Sequence, residues 1–424
     1  MLKKVSSIIV IFLIMITCSV PVQAGNEVNI SAKYAIVIDE ESGRVLYEKN
    51  AREKMYPASI TKILTIITAL EMVDDLDQKV TITQSDIDTV WETGASAANF
   101  EVGEVVTYRD IFMGAMLPSG ADACRALANN TCGNQEDFVK KMNELVKKLG
   151  LKDSHFVNTT GIHDDNHYTT VYDMAYITQY AMQNERFVEL FNRYQYNSSN
   201  GLHQWIKKVI YNAKKAHIDT SMIKGCKSGY TSNAQHTLSS SLDINGHTYI
   251  SVVGFCQNSG DYSSSSVKDT LALGHFISSQ YQYVHLKDKG EKVKTLKVKG
   301  GKVDSLDVTL KQDINAVLPQ NYDPDQIQYN YRFENIQAPV EKGDKVGTLK
   351  VTYQDDLLFE ETFLAGRQIE KDIVKIMKDT FVRVIIPWTF GILFVFVVVL
   401  LTVRKIIITR RKKRRRRQKR RRRY

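Results

Sequence analysis

HTLSSSLDI-NG-HTYISVVGFC, residues 236–256, is the stretch on which the fold turns. Two runs rich in strand-forming residues flank Asn245-Gly246, a dipeptide that accepts the left-handed backbone a two-residue hairpin needs. A second hairpin is written far upstream. Residues 34–39 alternate apolar and polar, Glu41-Ser42-Gly43 turns the chain, and residues 44–48 return. Between the hairpins the period changes. Pro57 precedes Ser59, residues 60–72 carry a broad apolar face at helical spacing, and residues 136–149 read as a second helix. Strands at both ends with helices and loops between them predict an α+β fold, an antiparallel sheet packed with helices. Near Lys287 the texture shifts again. Residues 304–310 and 345–353 look like strands and helical runs are few, so 287–365 reads as a small β-rich domain. Residues 366–383 are amphipathic, with Ile369, Ile373, Ile376 and Phe381 on one side, and form the expected linker between that domain and the membrane. No internal repeat is visible.

At 424 residues the chain is too long for one average core, in line with two folded domains plus extra segments. Composition excludes a disordered or fibrous protein. The formal charge of +10 misleads, because 15 Lys and Arg fall within residues 404–424 with no acid among them. Setting those aside, together with Lys3 and Lys4, leaves the body at −7. Lys3 and Lys4 precede an apolar run over 8–16, and Val22-Gln23-Ala24 offers small residues for cleavage, so 1–24 reads as a signal peptide. Residues 384–403 carry no charge and would cross roughly 30 Å of hydrocarbon as a helix. Pro387 and Trp388 suit its interface, and the cations behind it mark the cytoplasmic flank. The expected topology is single-pass in the cell membrane, with the exported body outside and residues 404–424 inside. Attraction to anionic lipid accounts for the basic tail. Such a tail also binds nucleic acid non-specifically, but it lacks aromatic interleaving and a recognition fold, so no nucleic-acid partner is expected.

Cys124, Cys132, Cys226 and Cys256 would remain after export, without zinc-type spacing. A Cys124–Cys132 bridge cannot form inside one continuous helix, because eight residues rise about 12 Å. Other pairings stay open. His155, His163 and His167 with Asp164 and Asp165 suggest a metal cluster at first sight. Their spacing fits no zinc motif, and such Asn and Asp density suits turns, so neither metal nor cofactor is expected.

Three short motifs carry the chemistry. Ser59-Ile60-Thr61-Lys62 opens the first long helix, Ser119 lies in Leu117-Pro118-Ser119-Gly120-Ala121-Asp122-Ala123, and Lys227-Ser228-Gly229 sits beside a strand. A serine hydroxyl needs an adjacent base, and one helical turn puts Lys62 on the same face as Ser59. A helix start also favours negative charge near Ser59. Burial near a second cation such as Lys227 would strip the Lys62 proton, and Ser119 could relay it. Gly229 allows a backbone to approach closely, so that an extended peptide can lie along the strand edge.

In this order the motifs resemble those of the low-molecular-weight penicillin-binding proteins of the D-alanyl-D-alanine carboxypeptidase family, related to the serine β-lactamases. The resemblance covers about 32–363. It is dense at Gly43-Arg44-Val45-Leu46-Tyr47-Glu48-Lys49-Asn50, at Tyr56-Pro57-Ala58-Ser59-Ile60-Thr61-Lys62 and at His167-Tyr168-Thr169-Thr170-Val171-Tyr172-Asp173-Met174-Ala175, and Lys227-Ser228-Gly229-Tyr230-Thr231 resembles the third motif. It implies a β-lactamase/transpeptidase-like catalytic domain over 25–286. Ser59 would form the acyl-enzyme, Lys62 would be the base and Ser119 the relay. Lys227 and Ser228 would face the substrate carboxylate, with the N–H groups of Ser59 and Tyr230 as oxyanion hole. The substrates implied are peptidoglycan stem peptides, with β-lactam antibiotics as inhibitors. Three departures stand out. The family's second motif reads Ser-x-Asn where this chain has Ala121, which leaves the base less well held and predicts a slow enzyme; Asp122 should point elsewhere on the helix. Ser228 replaces Thr, a mild change. A full membrane span is also more than the amphipathic helix common in the family. The main reading is a carboxypeptidase releasing the terminal D-alanine. A transpeptidase uses the same motifs, and a catalytically weak or inactive wall-binding scaffold is the reading that Ala121 would favour.

Overall fold

A computed structural model describes residues 28–88, 94–257 and 265–421; the expected signal peptide, 1–24, lies outside the described residues. The chain divides into two compact units, Met1–Tyr283 with Val317–Tyr322, and Val284–Ala316 with Asp323–Tyr424.

In the first unit, β1 (Ala32–Asp39), β2 (Val45–Lys49), β3 (Ile223–Thr231), β4 (Gln235–Ile244) and β5 (His247–Cys256) make one antiparallel sheet in the order β2-β1-β5-β4-β3. At the hairpin tip Ile244 pairs with His247, and Asn245 and Gly246 have φ of 55° and 85°. Both central residues are left-handed, as a primed turn requires. The alternation expected of β1 does not set its burial: every residue of the strand except Lys33 is buried. Both sheet faces are covered. Ile36, Ile38, Ile250 and Val252 join one core with α1 (Lys62–Leu70) and α5 (Val171–Met182), whereas Ala35, Val37 and Val253 join another with Val267, Leu273 and Ile277 of α7 (Ser265–Gln280). A strand buried on two faces loses the one-sided pattern.

The helices begin and end where local chemistry directs. Asn134 caps α4 (Gln135–Lys148) by accepting from Asp137 N at 2.8 Å, and Thr170 caps α5 by accepting from Asp173 N at 2.9 Å. The α4 ends carry Glu136 and Asp137 first and Lys147 and Lys148 last, matching its dipole. α3 (Ala121–Cys132) stops at left-handed Gly133. Cys124 and Cys132 both lie on α3, and the four cysteines among the described residues are free thiols.

The second unit is β-rich. Lys292–Lys299 pairs with Ser305–Thr309 and with Ile336–Gln337, and Lys345–Tyr353 pairs with Ile327–Phe333 and Asp356–Leu364. Leu296, Leu306, Leu349, Val351 and Phe363 are buried in it. The helix after it starts later than the amphipathic spacing suggests. Ile369 and Val340 exchange both backbone hydrogen bonds at 2.9 Å and Ile369 is buried, so sheet pairing overrides helical periodicity there. Helix begins at Ile373, capped by Asp372, and from Ile373 to Lys419 it is long and apolar enough to cross a membrane, with none of its apolar stretch buried in the protein.

Candidate active site

One cavity of about 610 Å³ in the first unit is lined by Ser59, Lys62, Ser119, Lys227, Ser228, Gly229 and Tyr230, so the structure brings all seven sequence-derived site residues together. Ser59 sits in a 3₁₀ turn, Ala58–Thr61, that runs directly into α1. Ala58 before it has φ of 48°, a left-handed conformation that costs a non-glycine residue on the order of 1 kcal/mol. The turn is pinned to the sheet, because Thr237 Oγ1 on β4 donates to Pro57 O at 3.1 Å. β3 passes so close that a Cβ at Gly229 would fall 2.6 Å from Ser59 N and 2.9 Å from Ala58 Cβ. Any side chain at 229 would therefore close the space in front of the Ser59 N–H.

Two serine–lysine pairs face each other in the cavity. Lys62 is 2% exposed; its Nζ lies 3.0 Å from Ser59 Oγ and donates to Thr160 O at 2.7 Å. Lys227 Nζ donates to Ser119 Oγ and to Ser228 O, both at 2.9 Å. Burial lowers the Lys62 amine below the ordinary lysine value, against the pull of Cys124 and Asp122. Repulsion between the two amines is mutual, so each disfavours charge on the other. Lys227 is held well below the ordinary value by its own burial first and by repulsion from Lys62 second. Cys124 is pushed up to about 11 by burial and stays a thiol beside the two amines.

Position 121 behaves as its side chain dictates. Ala121 is buried, donates its N–H to Ser96 O at 2.8 Å and lines a separate cavity of about 890 Å³. Asp122 points away from the lysines: its carboxylate accepts from Ala98 N at 2.8 Å, Asn99 N at 2.9 Å and Phe100 N at 3.2 Å. The histidine group divides into separate structural tasks. His155 bonds Asn166 O at 2.7 Å, His163 bonds the Asn233 amide at 2.6 Å, and His167 is buried with its Nε2 2.9 Å from Thr61 Oγ1.

The sequence reading missed Thr160 and Lys207. Thr160 contributes a carbonyl, which leaves no residue signature; its neighbours Asn158 and Gly161 were legible as a turn and nothing more. Lys207, buried at the start of α6 (Lys208–Lys215), lines the cavity and donates to Phe191 O. Lys62, Lys207, Lys208 and Lys227 give the lining four amines and no carboxylate among the described residues, a polarity suited to an anionic substrate end.

His167 supplies a stability test. Val157 N donates to its Nδ1 at 3.2 Å, so Nε2 carries the hydrogen and donates to Thr61 Oγ1 at 2.9 Å. Burial lowers its pKa to about 4, so the folded state holds it neutral. Between about 6.5 and 4 the unfolded chain binds the extra proton, hence this contribution is intact above pH 6.5 and falls by about 3 kcal/mol on acidification to pH 4. Urea midpoints of wild type and His167→Gln should therefore converge as pH drops through that window. Parallel pH profiles for the two proteins would refute the assignment.

Comparison with known proteins places this geometry. Residues 21–255 match the family model for D-alanyl-D-alanine carboxypeptidase, and residues 281–371 match the C-terminal domain of penicillin-binding protein 5. The Bacillus subtilis D-alanyl-D-alanine carboxypeptidase DacF is 30% identical over 345 residues, 80% of this chain and 86% of that protein. Penicillin-binding protein 5 of Haemophilus influenzae shares the fold at 22% identity and TM-score 0.67, covering 81% of this chain and 98% of its own. A mutant of the Streptomyces K15 DD-transpeptidase superposes with TM-score 0.53 at 28% identity, covering 58% of this chain and 98% of its own.

Proposed function

The chain belongs to the D-alanyl-D-alanine carboxypeptidase family, and from that premise we propose the part each residue takes in the reaction. It is a serine-type carboxypeptidase acting on D-alanyl-D-alanine peptides. Ser59 Oγ attacks the carbonyl of the scissile bond while neutral Lys62 takes its proton. The tetrahedral oxyanion rests on the N–H groups of Ser59 and Tyr230. As the C–N bond breaks, a proton passes by way of Ser119 and Lys227 to the leaving D-alanine amine, and the peptide stays on Ser59 as an ester. Lys227 and Ser228 face the terminal carboxylate. Water then attacks the ester, freeing Ser59 and the shortened stem peptide. Penicillin follows the first half and stops at its ester. The observation that carries this reading is the buried Lys62 amine 3.0 Å from Ser59 Oγ.

The likeness to a DD-transpeptidase supports a second outcome from the same acyl-enzyme, in which an amine replaces water. The apolar helix would hold the enzyme in the membrane after removal of residues 1–24, body outside and cationic tail inside, the tail drawn to anionic lipid.

Residues 25–372 keep the β-rich unit closed, because Asp372 N donates to Gly300 O at 2.8 Å. This piece should be soluble and release D-alanine from a D-Ala-D-Ala peptide. Penicillin labelling without release would favour the scaffold reading, and sedimentation with membranes would contradict the topology.

A further inference from the structure

We propose that the turn from Asn158 to Gly161 positions the Lys62 base, taking the place of the side-chain amide that position 121 lacks; this rests on Lys62 acting as base. Lys62 Nζ donates to the Thr160 carbonyl at 2.7 Å and lies 3.0 Å from Ser59 Oγ. A neutral amine has two hydrogens and one lone pair. With one hydrogen held by a fixed carbonyl, rotation about the terminal C–N bond is restricted and the lone pair can stay aimed at Ser59. The carbonyl thus does the work of an asparagine side-chain oxygen, provided that it cannot move.

Asn158 keeps it still. Its Oδ1 accepts from Gly161 N at 2.7 Å, from Thr160 N at 3.1 Å and from Thr160 Oγ1 at 3.1 Å, while its Nδ2 donates to Ile162 O at 2.9 Å. One side chain therefore closes the turn around the Thr160 carbonyl. Behind the turn lies the open groove of about 890 Å³, lined by Asn158, Thr159 and Thr160 and by the exposed Glu136, Lys140 and Lys147. Hydrogen bonds must then supply the rigidity that packing supplies elsewhere. Two contacts bind the turn to the catalytic helix. Thr65 Oγ1, one helical turn after Thr61, donates to Thr159 O at 2.7 Å. Gly161, at φ 82°, presses on the nucleophile turn so closely that a Cβ there would fall 1.8 Å from Ala58 O. Base and nucleophile are indexed to the same four residues. Ala121 lines this groove with Thr160, and Thr160 also lines the cavity that holds Ser59 and Lys62, so position 121 stands beside the turn that carries the carbonyl.

The test is a double-mutant cycle on the full-length chain in detergent. The acylation rate of Ser59 by a fluorescent penicillin is measured, with kcat and KM for a D-Ala-D-Ala peptide. Asn158→Ala should lower the acylation rate and kcat on the order of ten- to a hundredfold, the cost of a base displaced by about 1 Å, and move KM less than about threefold. Ala121→Asn should recover roughly tenfold in the Asn158→Ala background and change the native background far less. If Asn158→Ala does not fold, as read from its melting curve, Asn158→Ser with and without Ala121→Asn completes the same cycle. Acylation within about twofold of wild type in the Asn158 variant, or an equal effect of Ala121→Asn in both backgrounds, overturns the proposal alone. A wild-type chain not acylated at Ser59 overturns the underlying reading as well.

Discussion

Ser59→Ala is expected to abolish covalent labelling by penicillin and D-alanine release together, while the thermal unfolding transition moves by less than about 1 kcal/mol in equivalent stability. Two serines compete for the role, since each is paired with a buried lysine: Ser59 with Lys62 at 3.0 Å and Ser119 with Lys227 at 2.9 Å. One feature separates them. Ser59 has the bare edge of β3 against its own N–H, where a Cβ at Gly229 would intrude to 2.6 Å. An oxyanion can therefore form beside Ser59 between donors already in place. Mass analysis of the labelled peptide decides the matter. An ester found on Ser119, or labelling that survives Ser59→Ala, would sink the mechanism.

How much of this was legible depends on the range of each interaction. The Asn245-Gly246 hairpin and the spacing of Ser59 from Lys62 are local, fixed by turn chemistry and helical pitch, and both stand in the structure. The insertion of β5 between β1 and β4 depends on pairings such as Ala35 with Val253, which no local pattern encodes. The same holds for Lys227 and Ser119, which meet across 108 positions. Their proximity follows from the chemistry of a proton relay and has no local signal of its own. The Thr160 carbonyl is hidden for a different reason: a backbone oxygen is present at every residue, and only tertiary placement makes one a partner for Lys62. Ile369 shows the opposite failure, a periodic signal overridden when Val340 offered it a ladder.

Lys62→Met should reduce the acylation rate at Ser59 by a factor on the order of 10² to 10⁴, the usual range for losing a positioned general base. Methionine keeps much of the volume in a site where Ile60, Ile63 and Ile66 are fully buried and removes the titrating amine. The fold should therefore persist, and its pH dependence carries a second reading. Burial lowers the folded Lys62 value, whereas the unfolded chain titrates near 10.4. Below 10.4 the unfolded chain binds the proton more readily, so the wild type gains stability from this group as pH rises toward that value. The methionine variant should show a flatter stability profile over the same interval. In activity, the wild-type acylation rate should climb with pH as Lys62 deprotonates and level off below the ordinary lysine range. Lys227 is lowered as well and could in principle act through Ser119. The two lysines are told apart by comparing variants. If Lys62→Met stays within about tenfold of wild type while Lys227→Met loses the pH-dependent limb, the base is Lys227 and the roles assigned to the two pairs are exchanged.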